Sequence, residues 1–292
     1  MQKKLLIIFI NIILVLNVVI ITDWIFCTGE FYKVIYPMTP VYDNGREEND
    51  LPINKNKGSI VTVGDSFTFG DFINQEDTFS YKLQQKTQRK TYNRGYSGGG
   101  VQHVLYQLEY SDFFNNLSPE PEYIIYTFIG DHARRIYVNY IAGISNQKNL
   151  RYSNKNGKLV LNNLDITPVD KIKVSMLAKK IEDLSFKLKS NNTKFDFLKM
   201  HILECKKIID KKYKKTKFVV LVYNPNLDLH IQKPFYSNRW GELEKEGIKV
   251  IRLDDKKYDY LNTKDYLAED DIHPSGKAWD EITDIVIKEL NL

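Results

Sequence analysis

The chain has 292 residues, 42% hydrophobic and 27% charged, enough for one sizeable α/β domain with a short apolar leader. Its 42 basic residues exceed the 37 acidic ones by five, and a surplus that small, spread over this length, does not mark a nucleic-acid binder. Two cysteines, Cys27 and Cys205, and five histidines without ligand spacing give neither a disulfide framework nor a structural metal site.

Leu5 to Ile21 is apolar apart from Asn11 and Asn17. That length is near the lower limit for a membrane-spanning helix. Lys3 and Lys4 precede it and Asp23-Trp24 follow, a flanking pattern that places the N-terminus inside and the rest of the chain outside. No small-x-small cleavage site follows the run, which favours an uncleaved anchor over residues 1–22 against a removed signal peptide. The expected location is the cytoplasmic membrane, with a single pass and the remainder extracytoplasmic. Residues 23–58 hold Pro37, Pro40 and Pro52 and a polar stretch, and read as a tether.

A compact domain is expected over 59–292. Ser59–Val63 reads as a strand, Gln75–Gln88 as a helix, and Thr91–Asn93 as a short strand. Gly98–Phe114 holds a turn and a helix. Tyr123–Phe128, Lys217–Tyr223 and Ile248–Leu253 are apolar strands; Trp240–Glu246 and Trp279–Leu290 are helical. Continuous apolar strands alternating with helices imply a three-layer α/β/α sandwich with about five parallel strands. Residues 137–195 interrupt the alternation as an insertion. Within them Arg151–Leu161 reads as a hairpin with an Asn-Gly turn, and Pro168–Leu188 as a helix with Thr167 as N-cap.

Two short motifs carry chemistry. The first strand stops at Gly64-Asp65-Ser66, which puts a serine at the tip of a tight turn beyond a buried strand. Far downstream stands Asp270-Asp271-Ile272-His273-Pro274. A serine hydroxyl needs a base to take its proton, and a histidine oriented by an aspartate supplies one. In parallel sheets ligands bind beyond the carboxyl ends of the strands, the rim that Ser66, Gly98 and Asp131 would share.

These motifs make residues 59–292 resemble a GDSL-type hydrolase of the SGNH superfamily, with a flavodoxin-like sheet. The resemblance implies Ser66 as nucleophile, His273 as base and Asp270 as its orienter. The N–H groups of Ser66 and Gly98 would stabilise the oxyanion. It further implies an esterase that uses no cofactor and acts on acylated small molecules or carbohydrate, and the N-terminal anchor expected above would place it at the envelope. An O-acyltransferase of envelope polysaccharide and a non-catalytic binding module of the same fold remain as alternatives. The family's third block, Gly-x-Asn-Asp, departs here: Gly130-Asp131-His132 stands in its place, with Asp131 at the position of the oxyanion-donating Asn. An ionised carboxylate only accepts hydrogen bonds. Asp131 is therefore protonated, turned away, or replaced by a neighbour, for which His132, Arg134 and Arg135 are the candidates. The sequence leaves the oligomeric state open.

Overall fold

The computed structural model describes residue 46 and residues 50–137, 150, 152–162, 184–223 and 238–292. The expected anchor, most of the tether and most of the helix expected at Pro168–Leu188 lie outside the described residues. Among the described residues no helix is long and apolar enough to cross a membrane.

Five strands form one sheet: β1 (Ile60–Gly64), β2 (Thr91–Gly95), β3 (Tyr123–Phe128), β6 (Lys217–Val222) and β7 (Lys249–Arg252). All pair in parallel, in the spatial order β2-β1-β3-β6-β7. The three inner strands are buried almost throughout, as expected where helices cover both faces of a sheet. The edge strand β2 alternates buried and half-buried residues. Register pairs Gly64 with Gly95 and Phe128 with Val222. The carboxyl ends of the strands therefore form one common rim.

On one face lie helices α3 (Val101–Tyr110), α6 (Asn191–Lys212) and α7 (Gly241–Lys245). Helix α6 starts where Ser190 Oγ accepts from the Thr193 N–H. It buries Phe195, Leu198, Ile202, Cys205 and Ile209, a helical spacing that lays one stripe on the sheet. On the opposite face lie α2 (Phe79–Thr87) and α8 (Gly276–Leu290). Ser275 caps α8 by accepting from the Ala278 N–H, and Asn291 ends it in a left-handed conformation. Trp279 is fully buried between Phe79 and Tyr223, with ring centroids 5.1 and 6.2 Å away. Truncating such a side chain costs about 3–5 kcal/mol.

The structure corrects several boundaries. The helix expected over Gln75–Gln88 is a 3₁₀ turn, Gln75–Asp77, followed by α2. Thr78 is the reason, because its hydroxyl accepts from the Tyr81 N–H and starts a new helix. The helix expected to reach Phe114 breaks at Ser111, which caps the separate helix α4 (Asp112–Asn116). The hairpin forms from β4 (Tyr152–Lys155) and β5 (Lys158–Leu161). Its turn residues Asn156 and Gly157 have φ of 54° and 80°, the left-handed pair that a two-residue hairpin turn requires.

Candidate active site

Ser66 opens α1 (Ser66–Phe69), directly beyond the carboxyl end of β1. Asp65 caps this turn, its carboxylate accepting from the Phe67 N–H at 3.1 Å. The Ser66 N–H is one of the donors that a helix start leaves without an intrahelical partner. β2 ends beside this turn at Gly95, where any Cβ would collide with the backbone of Phe69. Glycine thus lets the loop after β2 come close to Ser66. Three residues on, Gly98 has a φ of 75°, a value that favours glycine.

His273 arrives from the opposite end of the sequence. Its Nε2 lies 2.9 Å from Ser66 Oγ, and its Nδ1 lies 2.5 Å from Asp270 Oδ2. The other Asp270 oxygen accepts from the N–H groups of Ile272 (3.2 Å) and His273 (3.0 Å). Burial alone would raise the Asp270 pKa. The imidazole and these backbone donors outweigh it and hold the carboxyl below its ordinary value. An ionised Asp270 accepts from Nδ1–H, which leaves Nε2 as a bare acceptor for the serine proton. Asp271 has a φ of 56° and an exposed side chain, so Asp270 alone of the two faces the imidazole. The loop is fastened by the Leu267–Pro274 bridge and by Ala268 N–H donating to His273 O at 2.7 Å. The rings of Phe67 and Phe72 flank the imidazole, with centroids 4.6 and 5.2 Å from it.

Behind the serine lies a second cluster, almost sealed from solvent. α5 (His132–Arg135) begins just after Asp131 at the end of β3. Asp131 does not face the rim as an unpaired acid. Its Oδ1 accepts from Arg134 Nε at 2.7 Å and its Oδ2 from Arg135 Nε at 2.7 Å. Arg135 reaches on to Asp65 Oδ2 at 3.0 Å and to the carbonyl of Gly99. Two carboxylates and two guanidiniums therefore balance in charge. Burial pushes the Asp131 carboxyl upward, yet Arg135 and Arg134 hold it below its ordinary value. Asp65 follows the same pattern: burial raises its pKa, His132 and Arg135 lower it, and the net shift is down.

His132 is fully buried. Its Nδ1 is 2.6 Å from Tyr126 Oη, and its Nε2 is 3.1 Å from Asp65 Oδ2, close but short of hydrogen-bond alignment. Burial lowers the His132 pKa against the pull of Asp65 and keeps the ring neutral. Burial also raises the Tyr126 phenol far above its usual value, so Tyr126 donates to Nδ1. The His132 proton then sits on Nε2, toward Asp65. His132 thus faces the interior and has no path to substrate.

The triad residues named from sequence meet in space, and Asp131, Arg134 and Arg135 meet behind them. Sequence reasoning passed over Asp65, which joins the two clusters, although its place before Ser66 marked it as an N-cap candidate. It also passed over Asp71. The Asp71 N–H donates to Ser66 O at 3.0 Å, and its carboxylate accepts from Ser97 Oγ at 2.7 Å. This residue ties the serine turn to the Gly98 loop.

No protein-family model matches the chain, and no curated protein does. Among solved structures it is similar to a putative lipolytic protein of the G-D-S-L family from Desulfitobacterium hafniense, with 14% identity, 80% of this chain and 99% of that one covered, and a TM-score of 0.46. It is also similar to a family 3 carbohydrate esterase from Clostridium thermocellum, with 12% identity, coverage of 79% and 94%, and a TM-score of 0.45. A third similar structure is a catalytic mutant of an acetylxylan esterase from Geobacillus stearothermophilus, with 12% identity, coverage of 84% and 97%, and a TM-score of 0.45.

Proposed function

We propose that the chain is a serine esterase that cleaves ester-linked acyl groups, acetyl above all, from carbohydrate through an acyl-serine intermediate. The observation that carries this reading is the continuous relay Ser66–His273–Asp270, with contacts of 2.9 and 2.5 Å. Ser66 Oγ attacks the ester carbonyl while His273 Nε2 takes its proton. Asp270 holds the imidazole in that tautomer and stabilises the imidazolium that forms. His273 then returns the proton to the departing sugar oxygen. Water, deprotonated by the same nitrogen, releases the acid and restores Ser66. The N–H groups of Ser66 and Gly98 serve as oxyanion donors; no acceptor within the fold takes either in a turn or loop hydrogen bond among the described residues. Asp131 adds no donor, since both its oxygens are held by arginines. Its cluster instead stiffens the turn through Asp65. The carbohydrate part of the reading follows from the resemblance to GDSL-type hydrolases.

Labelling the full-length chain with a fluorophosphonate probe tests the nucleophile. Wild type takes one label and Ser66→Ala takes none; a folded wild-type protein that stays unlabelled would overturn the reading. Acetate release from an O-acetylated oligosaccharide then marks hydrolysis, while acetyl appearing on an added unmodified glycan marks transfer.

We further propose that residues 1–22 anchor the protein, with Ser66 outside the cytoplasm. The apolar run Leu5–Ile21 behind Lys3-Lys4 supports this. An intact mass lacking those residues would reject it.

A further inference from the structure

A groove of about 640 Å³ lies beside the triad, between the segment that follows α1 and the loop that carries His273. Phe72 is among the residues that line it. This side chain is 57% exposed, and its φ is 66°, a value that bulky residues seldom adopt. Its ring lies against that of His273, with 5.2 Å between centroids. An exposed phenyl ring adds little to the core. It does present a flat apolar surface one ring away from the base.

The rest of the groove is mixed, with Phe69, Ile73 and Ala268 among polar groups. Asp71, Asp77 and Glu269 line it, together with the amide of Asn74. Arg46 is the one cation among the described lining residues, and it is engaged with the fold. It donates to the carbonyl oxygens of Phe69 (3.2 Å), Gly70 (2.7 Å) and Ile73 (2.8 Å). Asp77 is partly neutralised by Lys82 at 3.4 Å, which leaves Asp71 and Glu269 as the carboxylates without an opposing lysine or arginine ion pair within 4 Å in the described structure. An aromatic face bordered by hydrogen-bonding acceptors and an amide suits a pyranose, whose C–H face is apolar and whose edge carries hydroxyls. The same carboxylates repel a carboxylated or sulfated chain, because like charges brought together in a cleft are disfavoured.

We propose that Phe72 floors a subsite for an uncharged sugar ring of the acyl-bearing glycan, and that Asp71 and Glu269 on its rim exclude polyanionic glycans. The acyl bond cleaved next to this subsite rests on the esterase reading above; the binding of the sugar ring does not.

Calorimetric titration of the full-length Ser66→Ala chain with xylohexaose, cellohexaose and hexagalacturonate tests the subsite without any turnover. A neutral oligosaccharide should bind at least about tenfold more tightly than hexagalacturonate. Phe72→Ala should weaken neutral binding about tenfold, and Phe72→Trp should keep it within about threefold. Glu269→Lys, an exposed change that spares the fold, should narrow the neutral-over-anionic preference at least about threefold. Binding of neither neutral oligosaccharide, equal or tighter binding of the polyuronate, or an unchanged preference in Glu269→Lys would overturn the proposal. Fluorophosphonate labelling of the wild type, run in parallel, separates the two ideas. Labelling without oligosaccharide binding removes the subsite alone, and oligosaccharide binding without labelling removes the esterase reading alone.

Discussion

Two clusters of titratable side chains meet at Ser66, and they differ in exposure. On the rim, the His273 and Asp270 side chains keep 13% and 15% of their surface in contact with solvent. Behind the serine, Asp65 and His132 keep none, and Asp131 and Arg135 keep 3% and 8%. On the esterase reading the rim cluster holds the groups that pass a proton in each turnover, and its imidazole sits between a carboxylate and a hydroxyl. The buried cluster holds groups that keep fixed charges, with equal numbers of carboxylates and guanidiniums around a neutral imidazole. A buried ion pair is costly to break because the surviving partner stays uncompensated in a low-dielectric interior. The proposed activity therefore assigns rate to the first cluster and stability to the second.

That division can be broken most sharply at the triad. Ser66→Ala and His273→Ala should each lower ester turnover on the order of 10⁴-fold or more, and Asp270→Asn nearly as much, with thermal melting little changed. A folded Ser66→Ala enzyme that retained wild-type turnover would remove the nucleophile assignment.

The buried cluster should show the opposite signature. Asp131→Asn leaves Arg134 and Arg135 facing a neutral amide and should cost about 3–5 kcal/mol of unfolding free energy, measured by denaturant titration. Were Asp131 an oxyanion-site residue instead, the new amide would raise turnover of a simple aryl acetate and spare stability. Observing that pair of results would show that the arginine pairing does not hold in solution.

A pH series sharpens the comparison further. Burial lowers the His103 pKa to about 3 and the His201 pKa to about 4, against the ordinary 6.5. His103 is needed neutral, since its Nδ1 accepts from the Gly100 N–H at 3.2 Å and so holds the start of α3. A histidine with a depressed folded pKa contributes stability above its unfolded pKa, and that stability is lost as pH falls below 6.5 because the unfolded chain takes the proton first. Between pH 7 and pH 5 each of these two should remove roughly 2 kcal/mol. His132 acts in the same direction over this range; the lowered carboxylates Asp65 and Asp131 add to the loss only at more acid pH, below the ordinary carboxylate range, and Asp71, raised by burial, opposes them. Melting temperatures at pH 7 and pH 5 check this, and equal stability at both would mean that these imidazoles are not held neutral.

The smallest effect is expected at Asp271. Its side chain faces solvent, so Asp271→Ala should change turnover by less than about threefold. A loss matching that of Asp270→Asn would place the wrong aspartate on His273.

The sequence by itself determined the strands and named the three residues of the proposed triad, which the fold brings into contact. Ile60–Gly64 and Tyr123–Phe128 are apolar runs too continuous for a half-exposed surface, and both are buried inner strands. Ser66 and the pair Asp270 and His273 were legible because a strand–turn serine and an Asp three residues before a His are local patterns. The pairing of Asp131 with Arg134 and Arg135 is also local, at spacings of three and four, and could have been read from helix geometry. Only the tertiary structure decided the rest. Asp65 and Arg135 are 70 residues apart, and Ser97 and Asp71 are 26 apart. Phe72 meets His273 only because the two ends of the domain converge on one rim. Strand order and register bring these residues together, and no periodicity along the chain encodes which loops become neighbours once parallel strands align their carboxyl ends.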